Sequence, residues 1–385
     1  TIMDKVKTIL GVNISHDTSV AVVEDGEVKH VYEEERSRRE KYWSPVDDSE
    51  NTYDDFGLLC IDHKQLHKPD ILTIASFDRR DLQLNFKDRV LRDRVLQGEV
   101  ISALSAKQLT RSRIEQIMQE YKPAFDPISE HLHEDDLICE SIARQCAVEK
   151  YNYMPEHHYF HAVCGSHLSP YDESIVITWD GGGFNSHWDE YPRYQEIECI
   201  WHYKDHKVTP IWKRYSNHRF CSEIQNNFPG YGEDCIMCPD DLEIELDGVP
   251  SVFTSMPSMG MNFSNMSYAL GCDDMGRAAG KVMGMASYGE MHPKVFSKHS
   301  VAQQLEHVSL EHSKEIIQRA IDMVPSTKNI VLSGGYSLNC TNNYKYLQAF
   351  PEYQFFVDPI PHDGGTAVGA ALEEWRKLDA DDTDT

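Results

Sequence analysis

Lys7-Thr8-Ile9-Leu10-Gly11-Val12-Asn13-Ile14, followed by Ser15-His16-Asp17-Thr18-Ser19 and Val20-Ala21-Val22-Val23, decides the fold. The apolar, β-branched run from Lys7 to Ile14 predicts a buried strand. The polar pentapeptide predicts a turn, and Val20–Val23 a second strand. Asp25-Gly26 predicts a tight hairpin turn and Val28–Glu33 a third strand. The charged stretch Glu34–Lys41 predicts the opening of a helix.

The same grammar returns in the middle of the chain. Ser174–Trp179 is a β-rich run, Asp180-Gly181-Gly182-Gly183 reads as a turn, and the alternating stretches Tyr194–Tyr203 and Val208–Tyr215 flank polar residues 204–207. The two copies lie about 165 residues apart, a long-period internal repeat. Each carries a carboxylate in its first turn, Asp17 or Asp180. Such a duplication predicts an α/β protein with the duplicated actin-like ATPase (ASKHA) fold, two lobes with the active site in the cleft between them. Residues 1–168 are expected to form the first lobe, with a helical insertion near 79–150. Residues 169–378 are expected to form the second, its last helix packing back on the first, and 379–385 a disordered acidic tail.

Other segments fill in this outline. Arg79–Gln119 reads as helical and is rich in base, from Arg79 and Arg80 to Arg111 and Arg113, with acids interspersed. Such mixing marks a solvated helix face, and a substrate-facing basic patch is the second reading. Asp136–Lys150 and Ser309–Met323 predict helices, Asn329–Leu332 and Tyr353–Val357 strands, and Thr366–Lys377 a closing helix. Residues 216–270, rich in Gly, Pro, Ser, Met and Asn, predict long loops.

The chain has 385 residues, 37 Lys and Arg against 63 Asp and Glu, and a net charge of −26. That balance argues against general binding to nucleic acid or anionic lipid. At 40% hydrophobic it can bury a proper core. No apolar run approaches the ~18 residues of a membrane span. Thr1–Leu10 lacks the pattern of a secretory signal, so the expected address is the cytosol. The 10 cysteines, scattered over the length, read as reduced thiols. Cys235 and Cys238 form a CxxC, which could bind zinc only with two more ligands from His202, His206 or Cys221.

Four segments carry chemistry. His157 and His161 are four apart, so a helix places them on one face, able to grip one metal ion. Asp180, ending a strand, and Asp363, in a Gly-rich turn after another, are natural further ligands. A His and carboxylate set suits Fe²⁺, Mn²⁺ or Zn²⁺ better than Mg²⁺ or Ca²⁺. In Val331-Leu332-Ser333-Gly334-Gly335-Tyr336-Ser337-Leu338-Asn339, a strand runs into a Gly-Gly turn and a helix. The glycines let backbone N–H groups approach a phosphate, or else serve a tight strand–helix turn. In Ala279-Gly280-Lys281-Val282-Met283-Gly284, Lys281 can pair with phosphate. His16 suits a general base for a substrate hydroxyl, or a turn residue bonding its own backbone.

Together these segments resemble the O-carbamoyltransferases of the nodulation and antibiotic-tailoring type, which carbamoylate aminoglycosides, cephalosporins and Nod factors. The matching stretches are Gly11–Ser19, Glu33-Glu34-Glu35-Arg36, His157–Ala162, Thr178–Gly181, Gly280–Gly284, Leu332–Asn339 and Asp363–Ala371, in the family's order and over almost the whole chain. The resemblance implies the actin-like fold shared with the tRNA threonylcarbamoyl-transferring enzymes. It implies a metal, often iron, on His157, His161, Asp180 and Asp363. An adenine nucleotide would lie across Gly334, Gly335 and Asn339, near the Lys281 loop, with Gly280 and Gly182 among its glycines. His16, beside Asp17, would face the acceptor alcohol.

The implied reaction moves a carbamoyl group from carbamoyl-adenylate, made from carbamoyl phosphate and ATP, to an alcohol. The acceptor expected by default is a sugar or natural product, and the basic segment 79–113 also admits a hydroxymethylated pyrimidine nucleotide or DNA base. Arg39 and Lys41 fall where basic residues can contact the acyl phosphate. The chain departs from the family pattern at Ser37, where an aromatic is usual, and at Tyr336, where valine is usual. Family members usually carry a second, YrdC-like domain that makes the adenylate, and this chain stops about where it would begin. The expectation is therefore an actin-like domain alone, with a separate YrdC-like protein supplying the adenylate or the domain activating carbamoyl phosphate itself. The rival readings are a non-catalytic nucleotide-binding regulatory module and a threonylcarbamoyl-type transferase acting on tRNA.

Overall fold

The computed structural model describes residues 7–41, 43, 57–76, 134–154, 156–183, 195–216, 241–254, 256–272, 278–295 and 297–383. The basic segment 79–113 lies outside these residues, as do Cys221, Cys235 and Cys238.

Strand β1 (Thr8–Ile14) pairs antiparallel with β2 (Ser19–Glu24), which pairs antiparallel with β3 (Glu27–Glu33). The β2–β3 turn is Asp25-Gly26, with φ of 48° and 79°. Positive φ at both central residues is what a type I′ hairpin needs. Helices α1 (Glu34–Arg38) and α2 (Leu59–Lys64) follow, then β4 (Ile71–Ser76), α3 (Glu134–Gln145), β5 (Asn152–Met154) and α4 (His157–Leu168). Strands β4 and β5 run parallel to β1, giving a sheet of order β3-β2-β1-β4-β5.

The second half repeats this plan. Strands β6 (Glu173–Gly183), β7 (Gln195–Lys204) and β8 (Lys207–Ser216) form an antiparallel meander. The hairpin β9 (Leu242–Leu246) and β10 (Val249–Thr254) extends it, β10 lying parallel to β8. Helices α5 (Met259–Ala269), α6 (Ala279–Ala286) and α7 (Lys298–Met323) lead to β11 (Asn329–Ser333). A 3₁₀ turn (Gly335–Leu338), α8 (Cys340–Ala349), β12 (Gln354–Val357) and α9 (Gly364–Thr383) complete the chain. The sheet order is β12-β11-β6-β7-β8-β10-β9, with β11 and β12 parallel to β6. Apart from the added hairpin, each strand of the first sheet has its counterpart in the second. This repeated topology is the duplicated actin-like ATPase fold.

Among the described residues, three large apolar clusters hold it. One lies between the first sheet and α2 and α3, around Leu10, Val12, Leu72, Ile138 and Ile142. Another lies between the second sheet and α5, α6 and α7, around Ile175, Ile177, Trp179, Phe263 and Ile317. The third joins the halves, with Ile9, Ala21 and Val23 of the first sheet, Val176 and Val331 of the second, and Ala162, Ala367, Val368 and Ala371 of α4 and α9. Helix α9 can approach α4 because residue 369 is glycine: a Cβ there would lie 2.1 Å from the Phe160 carbonyl oxygen.

The Glu33–Arg36 motif has a structural member. The buried Glu34 carboxylate accepts from the backbone N–H groups of Leu59 at 2.7 Å and Cys60 at 3.0 Å, capping α2. It also accepts from Arg38 Nε at 2.8 Å. A carboxylate at a helix N-terminus satisfies orphan donors and favours the helix dipole.

The structure corrects several expectations. Asp180–Gly183 is not a turn: β6 continues through it with a register shift between Trp179 and Gly183, as a bulged strand. Within 216–270, the described residues form the β9–β10 hairpin, on a turn with positive φ at Asp247 and Gly248, and helix α5, capped by Ser258. Helix α3 stops at Gln145 rather than Lys150, and α7 begins at Lys298, where the Ser297 side chain accepts from Ser300 N. Positions 379–383, expected to be a disordered tail, continue α9. Extending a formed helix adds a hydrogen bond per residue without a new nucleus. Among the described residues, no helix is long and apolar enough to cross a membrane.

Candidate active site

Helix α4 starts three residues after the end of β5, and its first turn faces the end of β6 and the start of α9. His157 and His161, one turn apart, thereby meet Asp180 near the end of β6 and Asp363 just before α9. His157 Nε2 lies 3.1 Å from Asp180 Oδ2, 3.2 Å from His161 Nε2 and 3.5 Å from Asp363 Oδ1. His161 Nε2 lies 3.4 Å from Asp180 Oδ2 and 3.7 Å from Asp363 Oδ1. All four candidate ligand atoms fall within 4.8 Å of one another. An ion bonded at about 2.1 Å would have neighbouring ligands roughly 3.0–3.4 Å apart. The four residues therefore fit a divalent ion with two imidazole nitrogens and two carboxylate oxygens, a set suited to Fe²⁺, Mn²⁺ or Zn²⁺.

Electrostatics bind these groups together. Burial disfavours the His161 imidazolium, yet hydrogen bonding and charge from Asp180 and Asp363 outweigh it and raise the pKa to about 9. Burial pushes Asp180 upward, but His157 and His161 hold it well below the usual carboxylate range. Asp363 is likewise lowered: burial opposes, and His157 and His16 prevail.

The histidine between the two candidate ligands has another task. His158 is fully buried, and burial together with His157 keeps its pKa well below the usual value. Trp201 Nε1 donates to Thr178 Oγ1 at 2.9 Å, which leaves the Thr178 hydroxyl proton for His158 Nδ1 at 3.0 Å. A neutral His158 thus anchors the start of α4 to β6 and β7.

The β1–β2 turn reaches the cluster from the first sheet. Asn13 Nδ2 and the Asp17 N–H both donate to Ser15 Oγ, at 2.8 and 3.1 Å, and Ser19 Oγ donates to the Gly364 carbonyl at 2.9 Å. The turn is thereby tied to the start of α9. His16 Nδ1 then lies 3.6 Å from Asp363 Oδ2 and its Nε2 3.5 Å from Asp17 Oδ2. His16 is 46% exposed whereas Asp363 is 3% exposed, so His16 bridges the buried cluster and solvent. Burial raises the Asp17 pKa, helped by Asp363 and opposed by His16.

Sequence reasoning missed His362. Its Nδ1 lies 3.6 Å from Asp17 Oδ2 and its Nε2 3.2 Å from Glu33 Oε1, so it links the β12–α9 loop to the first sheet. The available signal was its place beside Asp363 in the Pro-His-Asp-Gly-Gly turn.

The glycines divide by environment. Gly334 has φ 87° and ψ 155°, and a Cβ there would lie 2.3 Å from the Trp179 carbonyl oxygen. A Cβ on Gly335 would lie 2.9 Å from Asp180 Oδ1, so the Gly-Gly turn lies against the cluster. Gly182 faces Gln195, which a Cβ would approach to 2.6 Å. Gly280, in the first turn of α6, faces open space. Asn339 is buried, with Oδ1 accepting from Asn342 N at 3.2 Å and Nδ2 donating to Glu306 at 2.9 Å. Its side chain caps α8. Lys281 is exposed on α6, donating to the Cys272 carbonyl at 3.1 Å and making no described contact with the cluster. Arg39, past the end of α1 with φ 62°, and Lys41 are exposed on the first-sheet side. His202, a candidate zinc ligand, is instead 2.8 Å from Glu173 Oε1.

Comparison with known proteins sets this geometry in context. The chain is similar to solved structures of HypF from T. kodakarensis (11% identity, TM-score 0.48, 97% of this chain and 48% of that one) and ROK hexokinase from Thermus thermophilus (10% identity, TM-score 0.45, 97% and 99%). Among curated proteins it is 22% identical to the uncharacterized protein sll1178 of Synechocystis sp., over 96% of this chain and 57% of that protein. It is 24% identical to Nodulation protein NolNO of Sinorhizobium fredii, over 93% of this chain and 46% of that protein. The chain thus spans about half the length of these curated relatives. Residues 299–372 match the family model described as Carbamoyltransferase N-terminus.

Proposed function

We propose that this chain is the acyl-transfer domain of an O-carbamoyltransferase that moves a carbamoyl group from carbamoyl-adenylate to the hydroxyl of a small molecule. The observation that carries this reading is the convergence of His157, His161, Asp180 and Asp363, with His16 Nδ1 3.6 Å from Asp363. The match of residues 299–372 to the carbamoyltransferase family model supports it.

In the transfer, the acceptor oxygen bonds to the carbamoyl carbon, the bond from that carbon to the phosphate oxygen breaks, and AMP leaves with the electron pair. The hydroxyl proton passes to His16 at Nε2, and Asp17, 3.5 Å away, stabilises the imidazolium. Asp363, facing Nδ1, fixes the ring's orientation. A divalent ion held by His157, His161, Asp180 and Asp363, with Fe²⁺ favoured over Mn²⁺ or Zn²⁺, would supply Lewis-acid stabilisation of charge developing on the carbonyl oxygen. The Gly334-Gly335 turn against Asp180 receives the adenylate, its backbone approaching the phosphate from the second-sheet side, with the exposed Lys281 as a counter-charge. The carbamoyl-adenylate is made from carbamoyl phosphate and ATP, substrates that belong to the cytoplasm, either by a YrdC-like protein or by this domain itself.

The test is metal analysis by mass spectrometry coupled to transfer of labelled carbamoyl from carbamoyl phosphate and ATP to a panel of alcohols, with and without an added YrdC-like protein. One ion per chain and a labelled carbamate ester are expected. His157→Ala and Asp363→Ala lose both, whereas His16→Ala keeps the ion and loses about 10²–10⁴-fold in rate. Retention of metal and transfer in the first two variants overturns the reading.

A further inference from the structure

Beside the cluster lies a cleft of about 660 Å³ that the transfer chemistry leaves unused. Its walls are the end of β3, α1, the end of α2 and the β12–α9 loop. Arg36, Arg39, Lys64 and His63 line it on the first-sheet side, facing His362. Arg36 is occupied by Glu33 at 2.8 Å and Glu35 at 3.6 Å. Arg39 and Lys64 are not. Among the described residues neither has a carboxylate partner, and the Lys64 ammonium lies 5.2 Å over the Tyr32 ring. The carboxylate that lines the cleft, Glu33, is taken up by Arg36 at 2.8 Å and His362 at 3.2 Å, which leaves Arg39 and Lys64 as excess positive charge in a chain with 63 acids and 37 bases. Such a concavity focuses positive potential and suits an anion.

We propose that this cleft holds the phosphate group of a phosphorylated acceptor, with Arg39 and Lys64 as its counter-ions and His63 as an added donor. This rests on the transfer reading and narrows its acceptor to a phosphate ester bearing a free hydroxyl. The guanidinium of Arg39 can engage two phosphate oxygens at once, and Lys64 acts as a point charge. His362 places the cleft next to the chemistry, because it lines the cleft and lies 3.6 Å from Asp17. The donor enters elsewhere: no residue of the Gly334-Gly335 turn lines this cleft. The volume suits a ligand the size of a nucleotide or sugar phosphate, since pockets for such molecules span about 300–1,000 Å³.

Calorimetric titration tests this without turnover. Wild type, Arg39→Ala/Lys64→Ala and the control Lys328→Ala are titrated with inorganic phosphate and with two probe pairs: deoxycytidine and dCMP, glucose and glucose 6-phosphate. Lys328 is exposed and paired with Glu352, away from the cleft. The proposal expects phosphate to bind wild type and the control alike, and the double variant at least tenfold more weakly, with unfolding midpoint unchanged. In at least one pair the phosphorylated member binds wild type tenfold tighter than its parent, and the double variant erases that difference. A wild type that does not bind phosphate, or a double variant that binds it equally, overturns the proposal. AMP serves as the donor arm: if the double substitution weakens AMP and leaves dCMP and glucose 6-phosphate unaffected, the phosphate belongs to the donor and the acceptor assignment falls. Because every readout is binding, failure of carbamoyl transfer and failure of this assignment are separate results.

Discussion

Gly334→Ala is the substitution by which the architecture can be tested most directly. Gly334 has φ 87° and ψ 155°, a region that is essentially glycine's alone and costs another residue about 1–3 kcal/mol. The new Cβ would lie 2.3 Å from the Trp179 carbonyl oxygen, 2.8 Å from its carbon and 2.9 Å from its nitrogen. The neighbour is backbone in the middle of a sheet. Thr178 is paired with Ser333, and the Trp179 ring is buried and donates to Ser337 Oγ at 2.7 Å. Relief requires separating β6 from β11, an overpacking cost of about 1–3 kcal/mol. The total of about 2–6 kcal/mol compares with a net stability of about 5–15 kcal/mol for a typical domain. Because Asp180 follows Trp179, the displacement also reaches the cluster. Urea unfolding followed by circular dichroism, with metal content measured in parallel, reads both effects. Gly335→Ala meets only the Asp180 side chain, at 2.9 Å, and is expected to weaken metal binding with little change in stability. Gly280→Ala, with nothing within 4 Å, is expected to stabilise α6 by about 0.5–1 kcal/mol. A Gly334→Ala protein within about 0.5 kcal/mol of wild type, with full metal content, would refute the reasoning.

Two further predictions concern buried charge in the second sheet. Lys213 Nζ lies 2.6 Å from Glu196 Oε1, both side chains being buried, so Lys213→Met is expected to cost about 3–5 kcal/mol by stranding Glu196. The double variant Glu196→Leu/Lys213→Met recovers most of that loss in the same urea titration, and no recovery would contradict the pairing. Glu198 is the pH-sensitive member: burial pushes its pKa up, but His312 and Arg214 outweigh burial and hold it below the usual 4.5. A depressed carboxylate contributes stability above its unfolded pKa and loses it as pH falls through the folded value. Urea midpoints are therefore expected to fall as pH drops below about 4.5, and Glu198→Gln to flatten that part of the curve.

What the sequence made legible follows from locality. The β1–β2–β3 meander and its repeat were readable because alternation and tight turns are properties of neighbouring residues. The His157–His161 pair was readable because one helical turn separates its members. Other features depend on distant partners. The run Asp180–Gly183 carries the composition of a turn, yet β6 runs through it. Its glycines answer to neighbours: a Cβ on Gly183 would lie 2.3 Å from His157 Cδ2, and one on Gly182 would meet Gln195. Nothing local reveals Glu306, 33 residues away, as a hydrogen-bond partner of Asn339. The β9–β10 hairpin was the readable miss, since Asp247-Gly248 is a strong two-residue turn signal. Polar neighbours obscured it.

The duplication explains why the four candidate ligands meet where they do. Each half has a connection after its first strand and a helix after its last. In the first half these are the turn carrying His16 and Asp17 and helix α4, which begins at His157. In the second they are the bulged end of β6, carrying Asp180, and helix α9, which begins just after Asp363. Helices α4 and α9 pack against each other between the sheets, so the two connections and the two helix starts converge on one point. The halves then differ in what they contribute there. The first supplies both imidazoles of the cluster and the exposed His16, and the second supplies both carboxylates and the Gly-Gly turn. In the proposed transfer, acceptor and donor would approach one cluster from opposite halves, which is what joining two different molecules requires.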